Sequence, residues 1–578
     1  MPTLTMTLGE VLASRAQDTP DRLAFTYVAQ DASEVSMTYG ELHAHAQAVA
    51  TQLAGAVGAG SHVLLLFEPG LQFVAALFGC FQAGVVGVSA PPPNPARVHR
   101  TLPRLHAVAK DARVSAVLSA EAIRAASQPL LSKDQSLAQT AWIVVDELPG
   151  AVELILADCD PGDLAFIQYT SGSTLDPRGV MLTHSNLLAN TEMIGRGMGL
   201  SGDSRAFSWL PPSHDMGLVT GILQPVLVGY PAMLMSPLTM LKRPARWLEG
   251  ISRFGATVSG APDFAYELAV ARTSAKQRDS LDLSCWEVAF DGAEPVRART
   301  LELFAEAFGG CGFRRSSFYP CYGLAEATLM VTGPLTHTSA PTLLELDALR
   351  LRKEVVAPAP PSSSRQSDVV TLVGCGEPGR GHELAIVDAA ARRRAPGEIG
   401  EIWIAGPSVA SGYWRQETLS GQTFDARIAT EPDSPGFLRT GDLGFVRDGQ
   451  LFIVGRSKDV IILSGHTYHP HDIEVIAESA HPHLRAHCSA AFAIEASGAA
   501  PYPAIVLEID NNPQADLLDV VQAVRHRVVG ELDVQLARIT LVDAGAVSKT
   551  TSGKIQRALC RRQLLAGDFQ PLCDWQRR

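Results

Sequence analysis

Short apolar, β-branched runs alternate with amphipathic helical stretches through most of the chain, and this alternation restricts the fold more than any other feature. His62-Val-Leu-Leu-Leu-Phe67, Leu164-Ala-Phe-Ile-Gln-Tyr169, Ala256-Thr-Val-Ser259 and Glu287-Val-Ala-Phe290 have the length and composition of buried strands. Between them, Tyr39 to Leu53 and Arg297 to Phe308 carry apolar residues at helical spacing. Strands that alternate with helices build α/β layers around a largely parallel sheet. From Val369 the texture changes to closely spaced strands (VVTLVG, HELAIVD, GEIWIAG, GQLFIVG), which implies a smaller β-rich subdomain. After Gly455 the pattern returns to mixed α and β, with helices expected near His471–Ala480 and Leu517–Val529. The expectation is therefore an α/β fold: a large N-terminal domain over residues 1–455, a hinge at 456–458 and a small C-terminal α+β domain over 459–578. A chain of 578 residues is several times the usual domain size, in keeping with that division.

The charge balance excludes one class of function. Forty-eight Lys and Arg against 60 Asp and Glu leave a net charge of −12, which is unsuited to neutralising a nucleic-acid backbone. Nine scattered cysteines without a Cys-x-x-Cys pair read as reduced thiols of a cytoplasmic protein. The N-terminal stretch lacks the basic and apolar regions of a signal peptide. Phe73 to Ala90 is an uncharged run of 18 residues, close to membrane-spanning length. Its pattern changes midway from helical FVAALFGCFQA to strand-like VVGVSA, so a buried helix followed by a buried strand is expected, and no integral membrane segment.

The strongest local signal is Tyr169-Thr-Ser-Gly-Ser-Thr-Leu-Asp-Pro-Arg-Gly-Val180, placed after a strand and before a helical stretch beginning near Ser185. Thr170, Ser171, Ser173 and Thr174 supply hydroxyls, and Gly172 lets backbone N–H groups converge on phosphate oxygens. Arg178 adds a charge suited to terminal phosphates. No G-x-x-x-x-G-K-[ST] occurs, so this is not a Walker loop.

The stretch resembles the phosphate loop of the adenylate-forming superfamily of acyl-CoA synthetases, adenylation domains and luciferases. Five further segments resemble that superfamily in order: Asp291-Gly-Ala-Glu-Pro295, Tyr322-Gly-Leu-Ala-Glu326, Leu438-Arg-Thr-Gly-Asp442, Gly455-Arg-Ser-Lys-Asp459 and Lys549-Thr-Thr-Ser-Gly-Lys554. Within it, Ser208-Trp-Leu-Pro-Pro-Ser-His-Asp-Met-Gly217, Phe318-Tyr-Pro-Cys-Tyr322 and Pro470-His-Asp-Ile-Glu474 resemble the fatty acyl-AMP ligases. Fifty positions separate Glu326 from Gly376, where those ligases carry an insertion that hinders the domain swing needed for thioesterification of CoA.

The resemblance implies a reaction and assigns its residues. A fatty carboxylate would attack the α-phosphorus of ATP, releasing pyrophosphate and leaving an acyl adenylate. The acid is already ionised near neutrality, so positioning and electrostatics limit the step rather than a general base. Lys554 would bridge carboxylate and α-phosphate, and Glu326 would hold Mg²⁺. Thr170, Ser171, Gly172, Ser173, Thr174 and Arg178 would hold phosphates. Gly292, Ala293 and Tyr322 would flank adenine, Glu294 and Gly323 would belong to the same nucleotide-binding set, Asp442 and Arg456 would meet the ribose, and Lys458 would be the hinge. His214 would line the acyl pocket or gate the site, or be structural. The acyl group would pass to the phosphopantetheine thiol of an acyl carrier protein, expected as a separate chain because little sequence follows Arg562. The alternative is a long-chain acyl-CoA ligase; a rival of another class is a non-catalytic adenylate-binding homologue.

Three positions depart from the family pattern. Leu175 replaces a usual Gly, Arg178 a usual Lys, and Asp291 a usual Asn, which removes a hydrogen-bond donor. Two motifs are decoys. Gly374-Cys-Gly-Glu-Pro-Gly379 fits a dinucleotide fingerprint, but Pro378 and a strand-like run stand where a helix is needed. His466, His469, His471 and Asp472 lack zinc spacing and read as a solvated or interdomain cluster.

Overall fold

The computed structural model describes residues 5–93, 98–131, 137, 140–147, 157–170, 177–335, 339–360, 368–463, 466–496, 499–510, 516–550 and 553–577. Two large sheets form its frame. The first has six strands in the spatial order Ala141–Val144, Ala116–Ser119, His62–Leu66, Val86–Ala90, Leu164–Thr170, Arg178–Thr183, parallel except for the last pair. The second has seven, from Phe318–Pro320 through Val288–Asp291, Val258–Ala261, Ala206–Ser208, Ala232–Met235 and Leu23–Val28 to Glu34–Thr38, again parallel apart from the terminal hairpin. Buried parallel strands must be apolar on both faces, and the four runs singled out in the sequence all contribute strands within a few residues of the expected limits.

The helix Leu71–Gln82 packs against strands of both sheets and explains the long uncharged run: nearly every residue from Phe73 to Gln82 is buried, and the strand Val86–Ala90 follows. Among the described residues no helix is long and apolar enough to cross a membrane. The neighbouring helix Tyr39–Ala56 starts on a capping box in which Thr38 and Glu41 satisfy each other's backbone N–H groups. It approaches so closely that a Cβ on Gly79 would lie 2.5 Å from Val49 Cγ1, which is why glycine stands there.

The β-rich part is a four-stranded antiparallel meander, Glu383–Val387, Gly400–Ala405, Leu438–Arg447 and Gln450–Arg456. The dinucleotide-like glycines lie between the strand Val369–Val373 and the strand Glu383–Val387, with no helix between them. The Pro/Ser-rich stretch beyond Pro360 lies outside the described residues.

Beyond it, four strands, Leu484–Ala496, Ala499–Ile509, Arg538–Val542 and Pro571–Gln576, form a mixed sheet. Side chains alternate across this sheet. Ala491, Ile505, Leu507, Ile539 and Leu541 pack under the helices Pro470–Glu478 and Leu517–Leu532. Ala490, Phe492, Ala504 and Val506 pack on the other face against Cys560 and Leu564 of the helix Arg557–Ala566. That second helix directly follows the Lys554 segment and ties it to the sheet.

Candidate active site

A cleft of about 2470 Å³ opens among the two large sheets, the meander and the C-terminal sheet. A single small ligand needs only about 300–1,000 Å³, so there is space for a nucleotide beside a second substrate. Of the residues assigned from the sequence, Thr170, Arg178, His214, Ala293, Glu294, Tyr322, Gly323, Glu326, Asp442, Arg456, Lys458 and Lys554 all line it. Ser171, Gly172, Ser173, Thr174 and Leu175 lie outside the described residues. Their flanks Thr170 and Arg178 are cross-strand partners at the cleft. Arg178 opens a strand, Arg178–Thr183, held by the buried Val180 and Leu182, and the helix expected near Ser185 follows it as His184–Gly197.

Asp442, which is 6% exposed, forms a buried polar corner of the cleft. One carboxylate oxygen accepts from Arg456 Nε at 2.7 Å and the other from the Tyr322 hydroxyl at 2.8 Å. Burial, then the Asp442 charge, push the Tyr322 phenol well up, so it remains a neutral donor. The Asp442 charge likewise raises the Arg456 guanidinium. Asp442 projects from the strand Leu438–Arg447, whose bend at Gly441 (φ +71°) is fastened by its N–H to Glu401. A carboxylate that accepts from two donors keeps acceptor capacity for a diol.

Glu326 accepts from the Tyr413 hydroxyl at 2.8 Å, and the Arg178 guanidinium lies 5.7 Å from the centre of the same ring. Arg178 and Glu326 are thus joined through one tyrosine. At the turn after the strand Val288–Asp291, Ala293 adopts φ +70°, a backbone that only a well-fixed turn imposes on a residue with a side chain. Gly292 is buried rather than at the cleft surface, and a Cβ there would lie 2.9 Å from Cys321. The Glu294 carboxylate accepts from the N–H of Phe264 in the first turn of the helix Asp263–Arg272. Behind the turn, Asp291 is fully buried, and neither carboxyl oxygen has a hydrogen-bond partner among the described residues. Burial and then the neighbouring carboxylates of Asp263 and Glu294 push its carboxyl well up. The protonated form this favours restores the donor whose loss the sequence suggested.

Lys554 enters from the C-terminal side. Its loop is tight: Thr550 N–H donates to Lys554 O at 2.8 Å, and Lys549 bridges Ile555. A Cβ on Gly553 would be 3.1 Å from the Phe264 ring, so the loop abuts the helix Asp263–Arg272. Burial lowers His214 to about 3, helped by the nearby positive charges of Lys554 and Arg104. His214 is therefore neutral and cannot serve as a cation; it directly precedes the short helix Asp215–Leu218 and lines the cleft.

Several residues here were not singled out in the sequence. Tyr413 is 87 positions from Glu326, Glu401 is 40 from Gly441, and Arg104 comes from a separate helix, Val98–Ala112. Each is legible only once the sheets bring distant segments together. Of the histidine cluster, His469 packs so closely on the backbone at Gly455 that a Cβ there would be 2.2 Å from its Nδ1. The segment after Glu326 also reaches across, since Arg352 O accepts from Thr467 N–H at 2.8 Å and its guanidinium stacks over Tyr468.

Comparison with known proteins agrees with this geometry. The family described as AMP-binding enzyme matches residues 12–414. The medium-chain-fatty-acid–[acyl-carrier-protein] ligase JamA of Moorena producens is 42% identical over 582 residues, covering 99% of this chain and 97% of its own. Among solved structures, one from studies of fatty acyl-adenylate ligases of E. coli and L. pneumophila superposes with a TM-score of 0.87 at 32% identity, covering 97% of this chain and 98% of that one. The L. pneumophila fatty acyl-adenylate ligase in complex with acyl adenylate and pyrophosphate gives 0.75 at 35%, covering 99% and 98%. The chain belongs to the AMP-binding enzyme family and, within it, to the fatty acyl-AMP ligases.

Proposed function

We propose that this protein activates a fatty acid with ATP as an acyl adenylate and passes the acyl group to the phosphopantetheine thiol of an acyl carrier protein. The observation that carries the reading is the convergence of Asp442, Glu326 and Lys554, from three distant segments, on one cleft large enough for two substrates. The relative that is 42% identical is named as a medium-chain fatty acid ligase for an acyl carrier protein, which supports both substrates.

The division of labour follows from the chemistry of each side chain. Asp442 and Arg456 form the polar corner suited to a ribose diol. The Tyr322 ring and the Ala293 turn offer surfaces for adenine. Thr170, Arg178 and the intervening Ser171–Thr174 hold phosphates. Glu326 suits Mg²⁺, which takes one or two carboxylates and otherwise keeps phosphate and water ligands; bound there, it would neutralise charge on the phosphate oxygens. Lys554 lowers the repulsion between an incoming carboxylate and the α-phosphate, the main barrier when both reactants are anions. His214, held neutral, packs beside the reacting carboxylate without adding charge. Transfer to a thiol needs Lys554 to withdraw, and residues 456–458 are the segment about which the C-terminal part would turn. The contacts of Arg352 with Thr467 and Tyr468 oppose a wide swing and favour a carrier protein over CoA as acceptor.

The test is fatty-acid-dependent exchange of labelled pyrophosphate into ATP. Exchange that requires Mg²⁺ and a medium-chain acid is expected; none with any acid from six to eighteen carbons would refute the reading.

A further inference from the structure

We propose that His487 is a positioning residue for adenylation: through Glu267 and Arg297 it latches the C-terminal sheet to the nucleotide side of the cleft and so holds Lys554 in place. The inference rests on the adenylation reading above.

His487 lies within the strand Leu484–Ala496, at a break in register between Leu484 and Ser489. Its φ is +55°, a conformation that glycine adopts freely and a residue with a side chain does not. The neighbouring helix enforces that backbone: the Glu478 carboxylate accepts the N–H groups of His487 at 2.8 Å and Cys488 at 3.0 Å. Such a residue persists only where its surroundings over-determine it, and here its ring makes the contact that explains the strain.

The ring crosses to the other side of the cleft. Its Nε2 is 2.6 Å from Glu267 Oε2, and Arg297 Nη2 donates to its Nδ1 at 3.1 Å. With an arginine donating to Nδ1, the ring carries its proton on Nε2 and donates it to Glu267. Burial would raise the Glu267 carboxyl, but the His487 and Arg297 contacts outweigh it and hold it at about 2, so the acceptor is ionised. Thr300 Oγ1 also donates to Glu267, and Arg297 Nε lies 3.5 Å from Asp263.

Both ends of the latch lead to the reaction. Glu267 sits on the helix Asp263–Arg272, whose first turn is fastened to Glu294, and Arg297 closes the same turn four positions after Ala293. On the other side, Cys488 Sγ accepts from Lys549 Nζ at 3.1 Å, and Lys549 bridges Ile555 beside Lys554. The latch thus joins the adenine-side turn to the lysine loop in the arrangement adenylation requires, and must open before the acyl group is transferred.

The test separates the two half-reactions in the full-length enzyme. Acyl-AMP formation from decanoic acid and ATP is followed by quench and mass spectrometry. Transfer from supplied decanoyl-AMP to a phosphopantetheinylated carrier protein is followed separately. His487→Gly removes the ring while relieving the backbone, so it should melt no lower than wild type yet slow acyl-AMP formation about tenfold or more. The KM for ATP should stay within about twofold and the transfer rate should not fall. Glu267→Gln should act likewise, and His487→Gln, which keeps a donor and an acceptor, should restore most of the rate. Wild-type adenylation in His487→Gly, or an equal loss in both half-reactions, would overturn the proposal. If the wild-type enzyme itself forms no acyl-AMP, the adenylation reading fails instead, so the two failures are distinguishable.

Discussion

Replacing Arg557 by leucine tests how the Lys554 loop is anchored. Arg557 Nε and Nη2 each donate to one oxygen of Glu474 at 2.7 Å, and Glu474 is 4% exposed. Glu474 also accepts from Ala491 N–H at 2.9 Å, so this pair binds the helix after Lys554 to the helix Pro470–Glu478 and to the sheet. Breaking a buried pair by removing one partner costs about 3–5 kcal/mol, because the remaining charge is stranded. The Arg557 side chain is 25% exposed and Glu474 keeps one backbone donor, which moves the expectation to the lower end, about 3 kcal/mol. Urea denaturation should report that loss, and acyl-AMP formation should fall at least tenfold, since Lys554 lies three positions earlier. Removing both charges with Arg557→Leu and Glu474→Leu should recover most of the stability, because a buried pair exchanged for apolar groups is often neutral. A single variant within about 0.5 kcal/mol of wild type, or a double variant no better than the single, would refute the reasoning.

Lys554→Ala should lower acyl-AMP formation by several orders of magnitude while a nucleotide still binds, as equilibrium dialysis would show; near-wild-type rates would remove the lysine from the mechanism. Gly217→Ala places a Cβ 2.1 Å from the Pro211 carbonyl oxygen. Backbone cannot yield as a side chain does, so a loss of about 3 kcal/mol in thermal unfolding and a displaced His214 turn are expected, at the upper end of overpacking costs. His184 accepts from Leu8 N–H, and burial lowers it to about 4. Its folded pKa lies below the unfolded value of about 6.5, so its contribution is complete above 6.5 and is lost as the pH falls from there towards 4. That range is worth about 3 kcal/mol; unfolding midpoints measured across it should drop less steeply in His184→Gln. Glu326→Gln should raise the Mg²⁺ concentration that half-saturates pyrophosphate exchange, whereas an unchanged requirement would move the metal elsewhere.

Much of the fold was legible because buried parallel strands need apolar residues on both faces. Runs such as His62–Leu66 and Val86–Ala90 can hardly be anything else once they alternate with amphipathic helices. The lining of the cleft was legible through resemblance: Leu438-Arg-Thr-Gly-Asp442 was matched to a family motif, and the fold brings Asp442 to the cleft, with the bend at Gly441. Legibility failed for contacts set by the meeting of distant segments. Nothing near Tyr413 marks it as the partner of Glu326, and nothing near His487 marks it as the partner of Glu267, 220 positions away. The backbone at His487 is the informative feature, and a left-handed φ on a residue with a side chain cannot be seen before the chain is folded.

The central claim is that acyl adenylate is formed and passed to a carrier thiol rather than to CoA. The most direct measurement offers the enzyme decanoic acid, ATP and Mg²⁺ with CoA and a phosphopantetheinylated carrier protein in equal amounts, and identifies the products by mass spectrometry. Decanoyl-AMP together with acylated carrier, and little decanoyl-CoA, is the predicted result. Efficient decanoyl-CoA formation with an unmodified carrier would contradict it, leaving the adenylation site intact and the account of the acceptor wrong.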